Sequence, residues 1–519
     1  MTWHKKTRIL IAIFTALFVI FPAGGSLLAG ENSSANNEQE NDEAKEPPAI
    51  TINMDGLVIP SDVAPVIESG RVLVPMRLLF EALGANVTWD NARRVVDAQW
   101  QDTRLALPVD TREAYINQSP VALDVPARIL EGRTMVPLRF VAESLGLDVH
   151  WGAAERTVYL RTDLLRYYKL EKVPEEPKPV DPEPERSLED DTQLPQEPSA
   201  QETQNDDASQ TVNDGYISKI EAHVVQLSSS LKPRVKLAGD QVGRTATLAN
   251  MADEAGGTVA ITGTYYNYLN QNPDPYGTII TGGEPVHLGS DGTTALFHED
   301  GSLSFSQVKP SLRGTINGSS DPGWLAFGIN HTTNPERAST YVYTPARGTR
   351  IGFAHGTSVA VSGGRVTGIY ENEDVSIPAD GFVINFTDWH QNYANDFNVG
   401  DEVDYTITYL DRSMNLPLDL GTVEEALSCW PMLITGGEIT AWPGTSRAAR
   451  TALVQRGSSI YLAAAPAATA HEFASLLLDY LGADNALNLD GGGSAGLYLY
   501  GQYVMQPGRR ISNSLVFAR

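Results

Sequence analysis

The sequence predicts a multidomain α+β protein, in which a duplicated β-rich domain with short helices precedes a larger, mixed α+β domain. The chain has 519 residues, which is too long for one hydrophobic core. A segment that begins at Gly70 is echoed from Gly132 onward, which indicates an internal duplication. From about residue 217, short β-type runs alternate with glycine turns and a few helical stretches, which is typical of a separate mixed domain.

The N-terminus has the pattern of an export signal. Basic residues up to Arg8 precede an apolar run over residues 9–21, and small residues follow up to Ala29. The apolar run is shorter than the roughly 20 residues that a membrane-spanning helix needs. We therefore expect residues 1–29 to be a signal peptide, with an uncleaved membrane anchor as the alternative. The protein is then extracellular or on the cell surface.

Much of the formal net charge of −26 lies in two segments that contain almost no large apolar residues. Residues 30–49 are predicted to form an acidic linker. In residues 168–212, prolines alternate with acidic residues, so the segment cannot bury enough apolar surface to fold and is predicted to be a disordered tether. Phosphate contacts need clustered Lys and Arg, so this charge distribution argues against nucleic acid as a partner.

The duplication covers residues 50–162, and equivalent positions are 62 residues apart, as Gly70 and Gly132 are. GRVLVPMR in the first copy corresponds to GRTMVPLR in the second, and Trp89 corresponds to Trp151. Each copy predicts a β-rich run up to Val-Pro, a short helix up to Leu-Gly, and a strand that carries the Trp.

The doubled pattern resembles the copper amine oxidase N-terminal-like domain, often called a stalk domain, of bacterial surface proteins. The resemblance implies a spacer or attachment module that carries no copper. Arg77 and its equivalent Arg139 are open to two interpretations. Each ties its helix to the following strand, or each is a ligand for a wall polymer.

Residues 213–519 are predicted to form the larger domain. Its predicted elements are helices over residues 244–254 and 470–481, strands over 259–261 and 486–490, and a hairpin strand over 293–299. The sharpest motif is DGGGS at residues 490–494, directly after a predicted strand. Glycines allow backbone N–H groups to approach an anion closely, so this turn offers a carboxylate, amide donors and a hydroxyl. The alternative is a tight turn that Asp490 caps.

Five segments of the larger domain, in the same order, resemble the phosphodiester glycosidase family. Its type member is the lysosomal enzyme that removes N-acetylglucosamine from a phosphate diester. The segments are ITGTYYN at 261–267, IN at 329–330 with YVYTP at 341–345, RTA at 450–452, ALNLDGGGS at 486–494 and RISNSL at 510–515. The resemblance covers residues 217–519 and implies a glycosidase-like fold and a hydrolase that cleaves glycosyl phosphodiester bonds.

The resemblance also implies a set of site residues. Asp490 is predicted to be the base or nucleophile at the sugar, and Arg450 and Arg510 are predicted to hold the phosphate, because guanidinium groups match phosphate oxygens. An ion pair with Asp490 is the alternative role of Arg450. The predicted catalytic residues are Asp490, Arg450 and Ser494, and the predicted substrate-binding residues are Gly491, Gly492, Gly493, Arg510, Asn513, Tyr265, Tyr266 and Asn267.

Two departures from the family's pattern argue against catalytic activity. Thr262 stands where the family usually has Asn, and LAAAP at residues 462–466 replaces a run that is usually charged. The second catalytic carboxylate is not identified, and Glu472 is assigned to a solvated helix surface rather than to catalysis. The first hypothesis is therefore an exported surface hydrolase of glycosyl phosphodiesters. The second is a non-catalytic, wall-associated carbohydrate-binding or scaffolding protein with a degenerate glycosidase fold.

No cofactor and no metal site are predicted. The nine histidines show no metal-ligand spacing, and neither a phosphate loop nor a dinucleotide motif occurs. A requirement for a divalent metal ion is left open. The single cysteine, Cys429, excludes an intrachain disulfide. The predicted partner is a cell-wall or sugar-phosphate polymer as substrate, with membrane contact only through an uncleaved N-terminal segment.

Overall fold

The computed structural model describes residues 49–83, 85–100, 103–172, 219–269, 272–289, 291–440 and 446–519. The predicted export signal, nearly all of the acidic linker and most of the predicted tether lie outside these residues. Ala49–Arg519 form one compact unit. Within the described ranges, no helix combines the length and the apolar character that a membrane span requires.

The predicted α+β class is wrong, because the chain folds mainly as β-strands. Between α3 (Leu248–Glu254) and α4 (Ala470–Leu481), as numbered below, the described residues form strands, turns and short 3-10 helices but no α-helix. Glycine turns and β-branched residues dominate this stretch, so strands pair with strands and sheets cover one another. The helical layer that a mixed fold would need does not form there.

The duplicated domain contains thirteen strands and two short helices among the described residues. They are β1 (Thr51–Met54), β2 (Leu57–Ile59), β3 (Val66–Glu68), β4 (Arg71–Pro75), α1 (Met76–Ala82), β5 (Asn86–Asp90), β6 (Val95–Trp100), β7 (Thr103–Pro108), β8 (Glu113–Ile116), β9 (Ser119–Ala122), β10 (Arg128–Leu130), β11 (Arg133–Pro137), α2 (Leu138–Ser144), β12 (Asp148–Gly152) and β13 (Thr157–Arg161).

The larger domain begins with β14, which ends at Lys172, and continues from residue 219 to Arg519. Its elements are β14 (Leu165–Lys172), β15 (Ile220–Leu227), β16 (Lys232–Leu237), α3 (Leu248–Glu254), β17 (Val259–Thr262), β18 (Ile279–Thr281), β19 (Glu284–His287), β20 (Thr293–His298), β21 (Leu303–Ser306), β22 (Val308–Ile316), β23 (Ser319–Ala326), β24 (Gly328–Ile329), β25 (Ser339–Tyr343), β26 (Thr357–Ser362), β27 (Arg365–Glu371), β28 (Gly381–Thr387), β29 (Val403–Asp411), β30 (Leu416–Leu418), β31 (Val423–Cys429), β32 (Met432–Thr435), β33 (Glu438–Ile439), β34 (Ala448–Arg456), β35 (Ser459–Ala468), α4 (Ala470–Leu481), β36 (Asn485–Asn488), β37 (Leu497–Leu499), β38 (Gln502–Met505) and β39 (Asn513–Ala518).

The two copies of the duplicated domain interlock. β4 of the first copy pairs antiparallel with the equivalent β11 of the second, with Val74 opposite Val136. Arg71 forms an ion pair with Asp124 at 2.6 Å. The equivalent pair, Arg133 with Asp62, lies at 2.7 Å. Each ion pair joins one copy to the other, so the copies are related by an approximate twofold axis between β4 and β11.

β14 corrects the predicted start of the tether at residue 168, because the strand continues to Lys172. It lies 62 residues after β7, but the two strands have different neighbours. β7 pairs with β6 and β8 inside the duplicated domain, whereas β14 pairs with β15 from Leu165 opposite Leu227 to Lys172 opposite Ile220. The second copy thus contributes one strand to the larger domain.

Two sheets of the larger domain position the candidate site. The first has the order β14-β15-β35-β34-β36-β32-β33 and the second β16-β39-β17-β37-β38. Leu453 and Leu487 of the first sheet share a buried cluster with Ile261 and Leu515 of the second. The sheets therefore pack face to face, and β36 and β17 end at the same edge of this core.

The predicted local elements of the larger domain are mostly present. The helix predicted over residues 470–481 is confirmed as α4, and Gly482 ends it with φ of 61°. The helix predicted from residue 244 begins only at Leu248, because Thr247 caps it by accepting a hydrogen bond from the Asn250 N–H. The predicted hairpin strand is β20, flanked by Gly292 and Gly301 in the left-handed conformation.

Candidate active site at the DGGGS turn

The backbone of Asp490 is held by both sheets. Its N–H donates to the carbonyl of Gly263 at 2.9 Å, directly after β17. Its own carbonyl accepts from the Thr451 hydroxyl of β34 at 2.7 Å. Since both partners belong to rigid strands or their immediate ends, the carboxylate is placed by the fold and not by a mobile loop.

The Asp490 side chain is an unusual carboxylate, because it is only 6% exposed. Burial raises its pKa from the ordinary value to about 7. A hydrogen bond from Ser494, the charge of Arg509 and a hydrogen bond from the Gly491 backbone act in the opposite direction and lower the pKa. Asp490 can therefore exchange a proton near neutral pH, which is what a general acid or base requires.

At each of the three glycine positions of the turn, a different structural feature favours glycine. Gly492 adopts φ of 56°, which side chains disfavour. A Cβ on Gly491 would lie 2.9 Å from the Ala449 carbonyl oxygen. A Cβ on Gly493 would lie 2.6 Å from Nη2 of Arg509. The turn thus leaves room on one side for a neighbouring strand and on the other side for a guanidinium group.

Arg509 is the cation that the structure brings to the turn. It is exposed, and its guanidinium carbon lies 4.1 Å from the centre of the Tyr268 ring, a cation–π contact. The terminal motif predicts its neighbour Arg510 in this role instead. The Arg510 guanidinium donates to the Thr245 carbonyl at 2.7 Å and so binds backbone. The motif could not distinguish two adjacent arginines, because only the packing of the terminal segment decides which one faces the turn.

Arg450 lies in the same neighbourhood but is held by backbone. Its guanidinium donates to the carbonyl of Ala468 at 3.0 Å and to that of Ser446 at 3.2 Å. The ion pairs of the described residues do not join Arg450 to Asp490. The charge of Arg450 nevertheless lowers the pKa of Tyr265, which burial and the charge of Asp490 raise. Arg450 therefore contributes positive potential to the site.

Ser494 lies close to both Asp490 and Tyr266, because hydrogen bonding from its side chain lowers the pKa of each group. The Tyr266 hydroxyl donates to the Arg510 carbonyl at 2.5 Å. Thr262 donates to the Ser494 carbonyl at 2.7 Å. The residue that departs from the family's usual Asn thus still supplies a polar contact to the turn.

Aromatic residues border the site next to Tyr265. The hydroxyl of Tyr265 accepts a hydrogen bond from Asn488 at 2.7 Å, and its ring lies 4.9 Å from that of Trp430. Trp430 also contacts Tyr276, with the ring centres 6.1 Å apart. Trp430 is 36% exposed and Tyr276 is 42% exposed. These rings form an accessible apolar surface next to Tyr265, whose pKa the charge of Asp490 raises. Trp430 and Tyr276 could not be predicted from the sequence, because no motif contains them.

Two predicted substrate-binding residues have other contacts. Asn513 is 1% exposed, and its Oδ1 accepts from the Thr264 N–H at 2.8 Å. A Cβ on Gly263 would lie 2.0 Å from the same Oδ1, so this Asn fills the space that the glycine leaves. Asn267 is half-buried, and its backbone N–H donates to the Asp274 carbonyl at 3.0 Å. Asn513 therefore joins β39 to the segment that directly follows β17 and has a structural role at the site.

Glu472 was assigned to a solvated helix surface, but it is half-buried at the start of α4. It forms a capping box with Thr469 at the start of α4, and its carboxylate pairs with Arg447 at 3.2 Å.

The alanine run that replaces the family's charged segment lies in β35, where Leu462 to Ala465 are fully buried. A charged side chain would be costly at these positions of this chain.

The IN and YVYTP segments belong to a buried polar network. Arg347 pairs with Asp274 at 2.5 Å, with side chains only 3% and 12% exposed. The same guanidinium donates to the Asn330 carbonyl at 2.9 Å, and Asn330 accepts from the Thr344 N–H at 3.0 Å. Both charges of the pair are therefore satisfied inside the protein, and the network ties these segments to one another. In the part of the chain that the structure describes, no three His, Cys, Asp or Glu side chains are placed to hold a metal ion.

Comparison with protein families agrees with both resemblances. Residues 53–160 match the family described as "Copper amine oxidase N-terminal domain", and residues 355–518 match the family described as "Phosphodiester glycosidase". The resemblance that the motifs indicated is thereby confirmed, and the second family is a family of hydrolases. No curated protein sequence matches the chain.

Solved structures that are similar to this chain include the following two. A hypothetical protein from Synechocystis is 18% identical, with a TM-score of 0.53, and the match covers 91% of this chain and 99% of that protein. The auto-inhibited catalytic domain of zebrafish N-acetylglucosamine-1-phosphodiester alpha-N-acetylglucosaminidase is 14% identical, with a TM-score of 0.31, and the match covers 58% of this chain and 78% of that domain. At these identities the Synechocystis protein shows a shared fold and nothing further.

Proposed function

We propose that this protein is an exported cell-surface hydrolase that cleaves glycosyl phosphodiester bonds, with cell-wall or exopolymer sugar phosphates as substrates. The observation that carries the proposal is the pairing of Asp490, whose buried carboxyl has a pKa raised to about 7, with Arg509 on the other side of the glycine turn. A proton-exchanging carboxyl beside an exposed cation suits a reaction at a sugar carbon that expels a phosphate.

Arg509 would bind the phosphate. Its guanidinium is positioned by the Tyr268 ring and by the space over Gly493. Among the residues that the structure describes, no carboxylate forms an ion pair with Arg509. Its N–H donors are therefore available to phosphate oxygens. The phosphate monoester that leaves is a weak base, so stabilisation of its negative charge contributes more to the reaction than protonation does.

Asp490 would act as the base. In its ionised form Asp490 accepts a proton from a water molecule. The oxygen of this water forms a bond to the anomeric carbon, and the bond between that carbon and the phosphate oxygen breaks. The electron pair of the broken bond stays on the phosphate, beside Arg509. Hydrogen bonding from Ser494 lowers the pKa of Asp490 and would so stabilise its ionised form. The sugar would lie against Trp430 and Tyr276, whose exposed rings offer an apolar surface to a pyranose face.

The proposal is tested with the full chain and an aryl phosphodiester of N-acetylglucosamine 1-phosphate in water labelled with ¹⁸O, and the products are analysed by mass spectrometry. Cleavage at the anomeric carbon places the label in the sugar, whereas attack at phosphorus places it in the phosphate. We expect the label in the sugar and no turnover by Asp490→Asn. Label in the phosphate contradicts the proposed reaction. Sugar-phosphate binding without turnover supports instead the carbohydrate-binding protein with a degenerate fold.

A further inference from the structure

The duplicated domain contains a cavity of about 460 Å³ between its two copies. Trp151 and Phe140 of the second copy form part of its wall, and both side chains are half-buried. The opposite wall comes from β4 of the first copy and from the segment that ends at Asp124. This volume is in the range of small-ligand sites, and the cavity is far from the DGGGS turn in the sequence and shares no lining residue with it.

The charged groups around this cavity balance one another. Four charged side chains line it, and they form two pairs. Arg71 lies 2.6 Å from Asp124, with the two side chains 45% and 69% exposed. Arg139 lies 3.8 Å from Glu143, with the two side chains 58% and 63% exposed. The cavity thus presents donors and acceptors side by side and carries no net charge.

We propose that this cavity binds an uncharged saccharide chain. A pyranose ring has an apolar C–H face, which fits an aromatic surface such as the Trp151 ring, and a rim of hydroxyls that need both donors and acceptors. Arg71 and Arg139 supply donors, and Asp124 and Glu143 supply acceptors. An anionic polymer would meet two carboxylates in the same cavity, so the charge balance disfavours it. The domain then anchors the protein to a neutral glycan, independently of the reaction at Asp490.

The first copy provides a matched comparison within the same chain. Trp89 occupies the position equivalent to Trp151, but it is 41% exposed. Leu78 stands where the second copy has Phe140, and Ser61 stands where it has Leu123. The equivalent surface of the first copy therefore has one aromatic ring instead of two, and we place the saccharide in the cavity of the second copy.

The test measures binding of the full chain to a panel of uncharged oligosaccharides that includes oligomers of N-acetylglucosamine, with titration calorimetry as the readout. We expect Trp151→Ala to weaken binding about tenfold or more, since the loss of a central aromatic anchor commonly costs this much. Trp89→Ala is the control and should bind as the unaltered protein does. Asp490→Asn should also leave this affinity unchanged, which separates the cavity from the DGGGS turn.

Arg139→Ala and Glu143→Ala keep the test decisive if Trp151→Ala does not fold, because both side chains are exposed. Each should weaken binding several-fold, whereas Arg77→Ala, at the equivalent position of the first copy, should not. Absence of binding to every uncharged oligosaccharide overturns the proposal. Equal losses in the Trp89 and Trp151 variants, or binding of a polyphosphate or a peptide at this cavity in place of a glycan, also overturn it.

Discussion

The guanidinium group of Arg509 lies over Gly493, where an added Cβ would be 2.6 Å from Nη2 and 2.9 Å from Nε. Gly493 is thus required for space and not for a left-handed conformation, which belongs to Gly492. We expect Gly493→Ala to displace Arg509 and to raise KM for a phosphodiester glycoside while the protein stays folded. Circular dichroism and steady-state kinetics check this. An unchanged KM would show that Arg509 does not contact the substrate.

Arg509 and Arg510 form a matched pair for mutagenesis. We expect Arg509→Ala to lower kcat/KM about 10- to 100-fold, because a hydrogen bond between charged groups is lost in the complex with phosphate. Arg510→Ala should change kcat/KM little, since Arg510 donates to the Thr245 carbonyl. Its effect should instead be a small loss of thermal stability. The opposite ranking of the two variants would restore the assignment that the motif suggested.

Asp490→Asn should abolish activity and stabilise the fold at neutral pH and above. Burial raises the folded-state pKa of Asp490 from 3.8 to about 7, so the folded protein binds a proton that the unfolded chain has released. Stability therefore falls as the pH rises from about 4 to about 7. Asn cannot ionise, so the variant should be more stable by roughly 2–4 kcal/mol above neutral pH. Denaturant unfolding across this range measures the effect, and equal pH dependence in both proteins would contradict it.

The activity itself should depend on the ionisation of Asp490. As the proposed base must be ionised, kcat/KM should rise with pH and level off above about 7. The charge of Arg509 and the hydrogen bond from Ser494 both lower this pKa. Ser494→Ala should therefore move the inflection of the pH profile upward. A shift to lower pH, or a profile without an inflection in this region, would exclude Asp490 as the base.

The duplicated domain is joined to the larger domain by the buried Tyr500. Its hydroxyl donates to Asp55 and lies 2.9 Å from the Thr162 hydroxyl, and β14 pairs with β15 along its whole length. Composition alone predicts that cleavage within the Pro- and acid-rich residues 168–212 releases two stable fragments. The contacts predict instead that the two pieces co-elute in size-exclusion chromatography and separate only in denaturant. Separation without denaturant would show that the junction is weak.

Much of this organisation was predictable from local pattern. The duplication is visible because equivalent residues recur at a constant offset, and each copy repeats a strand, a helix of seven residues and a second strand. α4 was predictable because a capping residue, an apolar face and a terminal glycine all act within one segment. The DGGGS turn was predictable as a candidate site, because it combines a carboxylate with glycines whose N–H groups an anion can approach closely. A tight turn capped by Asp490 was the alternative from sequence.

The sequence by itself determined the two family resemblances, the duplication and the choice of Asp490. Only the tertiary structure decided that β-sheets pack face to face, that β14 belongs to the larger domain, and that Arg509 rather than Arg510 faces the turn. It also brought Trp430 and Tyr276 to the site and formed the cavity beside Trp151. The physical reason is the range of the interactions. Capping and periodicity act over a few neighbouring residues, whereas strand pairing, burial and the pKa of Asp490 depend on residues that are distant in the chain.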